Sequence, residues 1–499
     1  MIKNMNNYNQ SLILTSEQMR NADLNAITAL GIKSTELMKS AAFALYDTCI
    51  EMYEQEKYGD EIIIICGKGN NAGDGFALCE ILSQRGYRVH AIAVFGVSDL
   101  SADANEMFKK NNKTLIINYT DSELKILALN KIAHSRLVVD CLFGTGFSGI
   151  IDSECQKIIQ AANKKTVLSC DLPSGVECET GKVSNACIKA KKTVTFAAYK
   201  PCHFLFPAKN YCGQIILADI GITNKILIEQ NPYIELINEE TVQSILKIRS
   251  QNSHKGTFGT LQICAGSPNM TGAAALAAKS ALRSGVGLVK IALDSKTKPI
   301  LQQKIDEAVF LDINEISQAN AYLCGCGLGE NAQITEKYLR LNYPCVFDAD
   351  SLSYIAKNPN VLELCSTRSF IFTPHPLEMS RLCGQTIEQI ESDRIGTARN
   401  FALKYNVTLV LKGHHTLVAT PDGYVFINTT GNSGLAKGGS GDVLAGLIAG
   451  LLAQGYSTVE SALIGVYFHG KAAEKLSEQY SESGILPSDL PLEIAKYLP

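Results

Sequence analysis

The sequence predicts an α/β protein built from two different modules. Three observations predict it. Short β-rich runs alternate with helical segments from end to end, the runs are continuously apolar, and glycine-rich loops follow several of them. Continuous apolar runs suit parallel strands covered on both faces, whereas half-exposed strands would alternate. The lengths between runs leave room for crossover helices. At 499 residues the chain exceeds a single core, so two or three domains are expected.

In the first half the expected strands are 61–67, 89–95, 114–118, 137–144, 166–172, 193–198 and 214–221. From Ile222 to Ser250 the chain turns polar and offers no glycine-bounded strand, which places a domain boundary within about 225–240. We draw it at 230, giving domains 1–230 and 231–499. A second series follows, with strands expected at 260–267, 286–293, 321–329, 343–352, 369–376, 407–413 and 415–420. Its glycine-loop motifs differ from those of the first half, so the halves are not repeats.

Composition excludes several classes. A net charge of −3 argues against nucleic-acid partners. The longest apolar run of the glycine-rich region, Val443–Ala453, is too short to span a bilayer. The N-terminus lacks a sustained apolar segment and a cleavage signature, so a cytoplasmic protein is expected. The 16 cysteines are scattered, many inside strand-like runs, and read as buried reduced thiols. No paired C-x-x-C motif stands near a histidine pair, which disfavours zinc.

The stretch LAKGGSGDVLAG (435–446) carries the clearest chemistry. Clustered glycine costs conformational entropy and needs a reason, such as close approach of the backbone to an anion at a helix N-terminus. An aspartate there would repel phosphate unless its task is to take a proton beside it. Three further loops stand at expected strand ends: GCGLG (325–329), FTPHPLE (372–378) and KGHHT (412–416). Ligands of open α/β sheets bind at such ends. Together the loops supply amides, a lysine, hydroxyls and Asp442 as a base, the parts that phosphoryl transfer requires. No GxxxxGK[ST] motif is present. His375, between two prolines, reads either as a loop cap or as a ligand residue, and the pair His414–His415 as a solvated turn or a contact.

GSGD before an apolar helix resembles the signature of the ribokinase-like superfamily. With NSHKGTFG (252–259), GSPNMTGAAALAA (266–278), VFDADSL (346–352), TPHPLEMSRL (373–382) and VLKGHHTLVA (410–419), residues 240–499 resemble the NAD(P)H-hydrate dehydratase family. The resemblance implies a ribokinase-like fold that phosphorylates the hydroxyl of (S)-NAD(P)H-hydrate and eliminates phosphate. It implies ADP as donor, giving AMP and phosphate, together with Mg2+. It further implies that Ala274, Gly327 and His375 line the hydrate site, and that Lys412, Gly413, His414, His415, Thr416 and Gly441 hold the nucleotide with Asp442 at the hydroxyl. Cys326 and Ser433 stand where the family has proline, Lys437 and Ser440 where it has threonine, and Met270 where tyrosine is common.

In the first half, GKGNNAGDGF (67–76) imitates a dinucleotide fingerprint but lacks the acid expected about 20 residues on. Its asparagines and Asp74 say more, because asparagine offers both donor and acceptor. In CDLPSG (170–175) a carboxylate, Asp171, ends a strand. The oxygens of Asn71, Asp140 and Ser174 could hold a monovalent cation. These motifs, with VVDCLFGTGFSG (138–149), resemble the NAD(P)H-hydrate epimerase family over 12–225, which implies a Rossmann-like three-layer domain. The resemblance implies hydrate contacts from Asn70, Asn71, Ala72, Gly73 and Asp74, and from Gly144, Thr145, Gly146, Phe147, Ser148, Gly149 and Ile150. It implies epimerisation by Asp171, K+ on Asn71, Asp140 and Ser174, and a homo-oligomer. Ala72 replaces the usual glycine. Two rival readings keep GGSGD: an ATP-dependent sugar or vitamin kinase with a Rossmann-like regulatory domain, and a non-catalytic nucleotide sensor, against which stand two separate carboxylates at strand ends, each beside its own glycine loop.

Overall fold

The computed structural model describes residues 11–111 and 114–499. The start of the stretch read as leaderless, residues 1–10, lies outside the described residues. The chain divides into two compact units between Ile234 and Glu235.

The first unit is built on seven strands: β1 (Glu61–Cys66), β2 (Arg88–Ala93), β3 (Leu115–Asn118), β4 (Leu137–Cys141), β5 (Val167–Cys170), β6 (Lys192–Phe196) and β7 (Gln214–Ala218). Their order is β3-β2-β1-β4-β5-β6-β7, and every pairing is parallel. Ile62 and Ile64 face one core with the helices Ser34–Gln55 and Asn70–Gln84; Ile63 and Ile65 face another with Ser122–His134 and Ser153–Ala162. This two-sided burial is why β1 reads as an unbroken apolar run. Each buried isoleucine contributes about 1.5–3 kcal/mol. The chain reverses its direction of travel across the sheet at β1, whose neighbours are β2 and β4. The loops after β1 and β4 therefore open at the switch point, where ligand crevices form.

The second unit has β8 (Ile234–Ile237), β9 (Thr260–Cys264), β10 (Leu288–Leu293), β11 (Ala308–Asp312), β12 (Ala321–Cys324), β13 (Cys345–Phe347), β14 (Phe370–Phe372), β15 (Thr408–Leu411), β16 (Leu417–Ala419) and β17 (Val425–Asn428). Their order is β8-β17-β16-β15-β14-β13-β12-β9-β10-β11. Pairings from β15 to β11 are parallel, and β16 pairs antiparallel with both β15 and β17. The stretch expected to lack a strand contains β8, and β11 and β17 were likewise not expected. The expected strands extend into loops by up to several residues, because glycine and proline runs after a strand remain apolar. Helix Ser440–Ala453 is buried from Val443 to Ala453 and packs on helix Thr271–Arg283. A Cβ on Gly446 would lie 2.1 Å from the Ala277 carbonyl oxygen, so the two helices meet at backbone distance. Among the described residues, no helix is long and apolar enough to cross a membrane.

Candidate active sites

In the first unit a cavity of about 790 Å3 opens at the switch point. Helix Asn70–Gln84 begins there, capped by Gly69, so Asn70 and Asn71 occupy the turn whose free N–H groups favour anions. Ser101 Oγ donates to Asn70 Oδ1 at 3.0 Å, and Asn71 Nδ2 donates to the Phe143 carbonyl at 2.8 Å. Asn70, Asn71, Asp74, Gly144, Thr145, Gly146, Phe147, Ser148, Ile150 and Asp171 line this cavity. Ala72, Gly73 and Gly149 are not among its lining residues. The first two are buried, with Met38 packed against Gly73, and Gly149 bonds instead to Glu177 and Ser184.

Asp171 follows β5 with φ 65°, a left-handed backbone that costs a non-glycine residue energy and turns its side chain to the cavity. Lys200 Nζ lies 2.6 Å from its Oδ1. Burial works to raise the Asp171 pKa, but the Lys200 charge and hydrogen bond outweigh it and hold the carboxyl below its ordinary value. Asp74 differs: burial, reinforced by Asp171, pushes it well up. Asp23, from helix Ser16–Leu30, also lines the cavity and is raised to about 6, chiefly by burial. Lys200 and Asp23 were not singled out from sequence. The signal for Lys200 was a lysine closing the apolar run TVTFAAY; Asp23 gave none.

Asp140 is fully buried, and no salt bridge reaches it among the described residues. It accepts from Ser174 N at 2.8 Å, Ser174 Oγ at 2.6 Å, Ser169 Oγ at 3.0 Å and Leu142 N at 3.2 Å. Ser174 Oγ accepts from Phe143 N at 2.8 Å, and Asn71 bonds the carbonyl of the same Phe143. The three residues expected to hold a cation thus form one network around a carboxyl whose pKa burial raises against the pull of its hydrogen bonds.

In the second unit, the loops after β12, β13, β14 and β15 lie side by side because those strands are neighbours. Asp442 stands in the first turn of helix Ser440–Ala453. Its carboxylate, Cys326 Sγ and the Asp348 carboxylate lie within 4.8 Å of one another. Lys412 Nζ is 2.7 Å from Asp348 Oδ1 and 3.8 Å from Glu378, and a Cβ on Gly441 would sit 3.4 Å from that nitrogen. Thr373 Oγ1 also donates to Asp348 Oδ1, at 2.7 Å. Burial, then Asp348, raises Asp442 to about 6. Burial also raises Glu378, while Asp348 and Glu378 outweigh burial to hold Lys412 above its ordinary value.

Lys412 N donates to the Pro374 carbonyl at 2.8 Å, joining two of the expected loops. Gly413, at φ 145°, leaves no room for a side chain: a Cβ would lie 2.6 Å from the Arg394 guanidinium. His414 is exposed, its ring 4.7 Å from that of His415, and Thr416 Oγ1 donates to Gly413 O at 3.2 Å. His375 caps helix Pro376–Cys383, its Nδ1 accepting from Leu377 N and Glu378 N, with Nε2 3.3 Å from Glu378. Ala274 is buried in the first turns of helix Thr271–Arg283, and a Cβ on Gly327 would meet Ala273 and Met270 at 2.9 Å. Asp348, Glu378 and Arg394 had no assigned role from sequence, although the first two fall inside quoted motifs.

Two family models match the chain: NAD(P)H-hydrate dehydratase over residues 261–496 and YjeF-related protein N-terminus over residues 34–202. A bifunctional NAD(P)H-hydrate repair enzyme of Moorella thermoacetica is 33% identical over 96% of this chain and 95% of its own length. One from Escherichia coli is 31% identical over 95% and 92%. A crystal structure of the ADP/ATP-dependent NAD(P)H-hydrate dehydratase from Bacillus subtilis, co-crystallised with ATP and Mg2+, is 31% identical, covering 52% of this chain and 96% of that one with a TM-score of 0.48. The agreement runs through both units and nearly the full length of each relative, which sets aside a lone kinase with an unrelated regulatory domain: the chain belongs to the family of bifunctional NAD(P)H-hydrate repair enzymes.

Proposed function

We propose that residues 1–230 interconvert the R and S forms of NAD(P)H-hydrate and that residues 231–499 dehydrate the S form with ADP. The observation that carries this reading is that each unit brings its own carboxylate, Asp171 or Asp442, to its own glycine loops.

In the second unit Asp442 takes the proton of the hydrate hydroxyl. The freed oxygen attacks the terminal phosphorus of ADP, the bond to the bridging oxygen breaks, and AMP leaves. The resulting phosphate ester then loses phosphate: its C–O bond breaks with the push of the ring nitrogen, a proton leaves the adjacent carbon, and NAD(P)H re-forms. Lys412 neutralises phosphate charge, the helix N-terminus supplies N–H donors, and Gly441, Gly413, His414, His415 and Thr416 form the cradle. Ala274, Gly327 and His375 border the hydrate. Mg2+ prefers oxygen and is commonly shared between one or two carboxylates and substrate phosphates. The Asp348 carboxylate fits it, leaving Asp442 free as the base, and the soft Cys326 thiol does not. When bound, Mg2+ would spread the charge of the transferring phosphoryl group.

In the first unit hydration leaves a hydroxyl on the ring carbon beside nitrogen. Asp171 takes the hydroxyl proton, the bond from that carbon to nitrogen opens to an aldehyde, and Asp74 gives its proton to nitrogen. Closure on the other face returns both protons and inverts the centre. The opposed pKa directions of the two carboxyls support this division of labour. Potassium fits the Asn71, Asp140 and Ser174 network, whose donors are oxygens, and a bound cation would favour the ionised form of Asp140 that burial disfavours. A reducing cytoplasm suits the free cysteines, of which all but Cys383 are buried. A homo-oligomer is part of the proposal and is tested by light scattering.

The test mixes the purified chain with R or S NADH-hydrate and ADP, ATP or neither, following NADH absorbance. Recovery from both epimers with ADP is expected. Recovery from S alone would overturn the epimerase half, recovery with ATP alone would overturn the donor, and no recovery would overturn the dehydratase half.

A further inference from the structure

The ammonium of Lys200 spends all its hydrogens inside the protein. Nζ lies 2.6 Å from Asp171 Oδ1, 2.8 Å from Thr195 Oγ1 and 3.1 Å from the Phe196 carbonyl, and the residue is 1% exposed. An ammonium has three donors, so none remains for a ligand. The Thr195 hydroxyl also donates to Asp171 Oδ1, at 2.8 Å. Both donors therefore fall on one oxygen. Oδ2 receives no hydrogen bond among the described residues, although the side chain lines the cavity and is 15% exposed.

The backbone of the pair is tied as well. Lys200 N donates to His203 Nδ1 at 3.1 Å, and His203 Nε2 lies 2.9 Å from the Asp171 carbonyl. Nδ1 must accept and Nε2 must donate, which fixes a neutral imidazole as a clip between the two residues. Burial and the Lys200 charge lower the His203 pKa to about 4, so the clip stays neutral over the working range.

We infer that Lys200 is a positioning residue of the epimerisation: it locks Asp171 through Oδ1 and leaves Oδ2 as the one oxygen that works on the hydrate. The inference rests on the epimerase reading above. A pair kept for stability alone explains these observations poorly. Buried ion pairs are weak stabilisers, and a purely structural pair would have no cause to leave one carboxylate oxygen unsatisfied at a cavity wall on strained backbone. The groups facing Asp171 are Lys200 and Thr195 from β6 and the turn after it, His203 from the following turn, Asp74 from helix Asn70–Gln84 and Asp23 from helix Ser16–Leu30. Of these only Lys200 is a fixed cation; burial and the Asp171 charge hold Asp74 and Asp23 toward their protonated forms, so neither offsets the burial of Asp171. Without Lys200, burial would return the Asp171 proton and remove the base.

The experiment compares Lys200→Met and Lys200→Arg in the full chain, following R-to-S conversion of NADH-hydrate by chromatography against an enzyme-free blank. Lys200→Met is expected to move the acid limb of kcat/KM upward by more than about one pH unit and to lower kcat at neutral pH about tenfold or more, with KM little changed. Lys200→Arg keeps the charge and is expected to leave the limb near its wild-type position. An unmoved limb in Lys200→Met, with the wild type active, overturns the inference alone. A wild type that leaves R-hydrate unconverted overturns the epimerase reading, and the inference with it. If Lys200→Met does not fold, Thr195→Val decides: loss of a donor to the same oxygen is expected to shift the limb upward by less, and an unmoved limb overturns the inference.

Discussion

Asp442 loses solvent in the first turn of its helix and gains Asp348 as a neighbour, and both effects hold its proton up to about pH 6. A base must be ionised to act. Dehydration kcat/KM should therefore fall as pH drops through about 6, in a pH–rate profile measured with S-hydrate and saturating ADP. Lys412 works the other way, so Lys412→Met should move that limb upward and cut the rate; a limb that stays put would separate Lys412 from the base. Asp442→Asn should lower kcat by about 10²–10⁴-fold while ADP binding, followed by calorimetry, persists. Asp171 has the opposite sign. Its pKa lies below the ordinary carboxylate value, so its ionised form persists at pH values where Asp442 is already protonated.

Helix Ser440–Ala453 carries Asp442 into place, and its position is set by contact at the backbone. Gly446 admits the Ala277 carbonyl, and Gly450 admits Ser284 and Ala281. Gly446→Val forces these helices apart and should cost about 1–3 kcal/mol, read as a lower urea midpoint with dehydration lost before epimerisation. At this scale the sequence was most legible where burial is two-sided. β1, β4, β9 and β15 announce themselves because both faces are covered. β8 and β11 did not, because their side chains are partly exposed and their residues mix polar with apolar. β17 follows Asp422-Gly423, a turn signal that was available. The glycine loops were legible because backbone approach leaves a compositional mark. Lys200, Asp23 and Asp348 were not, because a single charge in an apolar or amphipathic stretch looks the same whether it is solvated or folded inward against a partner.

Across the whole chain the two carboxylates divide the pH scale between two activities. Near pH 5 the enzyme should still interchange epimers while dehydration has largely stopped, a split that one assay of both reactions on R-hydrate would detect. Cation dependence should divide them too: replacing K+ by tetramethylammonium should slow epimerisation and spare dehydration of S-hydrate, whereas equal loss of both would exclude the Asp140 network as the potassium site. The buried thiols have a separate consequence. Ten cysteines, from Cys49 to Cys212, belong to the first unit and six, from Cys264 to Cys383, to the second, and only Cys383 is partly exposed. A thiol reagent can reach the rest only when their surroundings open. Counted by intact mass over time, alkylation would give a first fast label at Cys383 and then steps whose sizes report which unit breathes. The protein thus carries a built-in clock for its own opening, readable without introducing a probe.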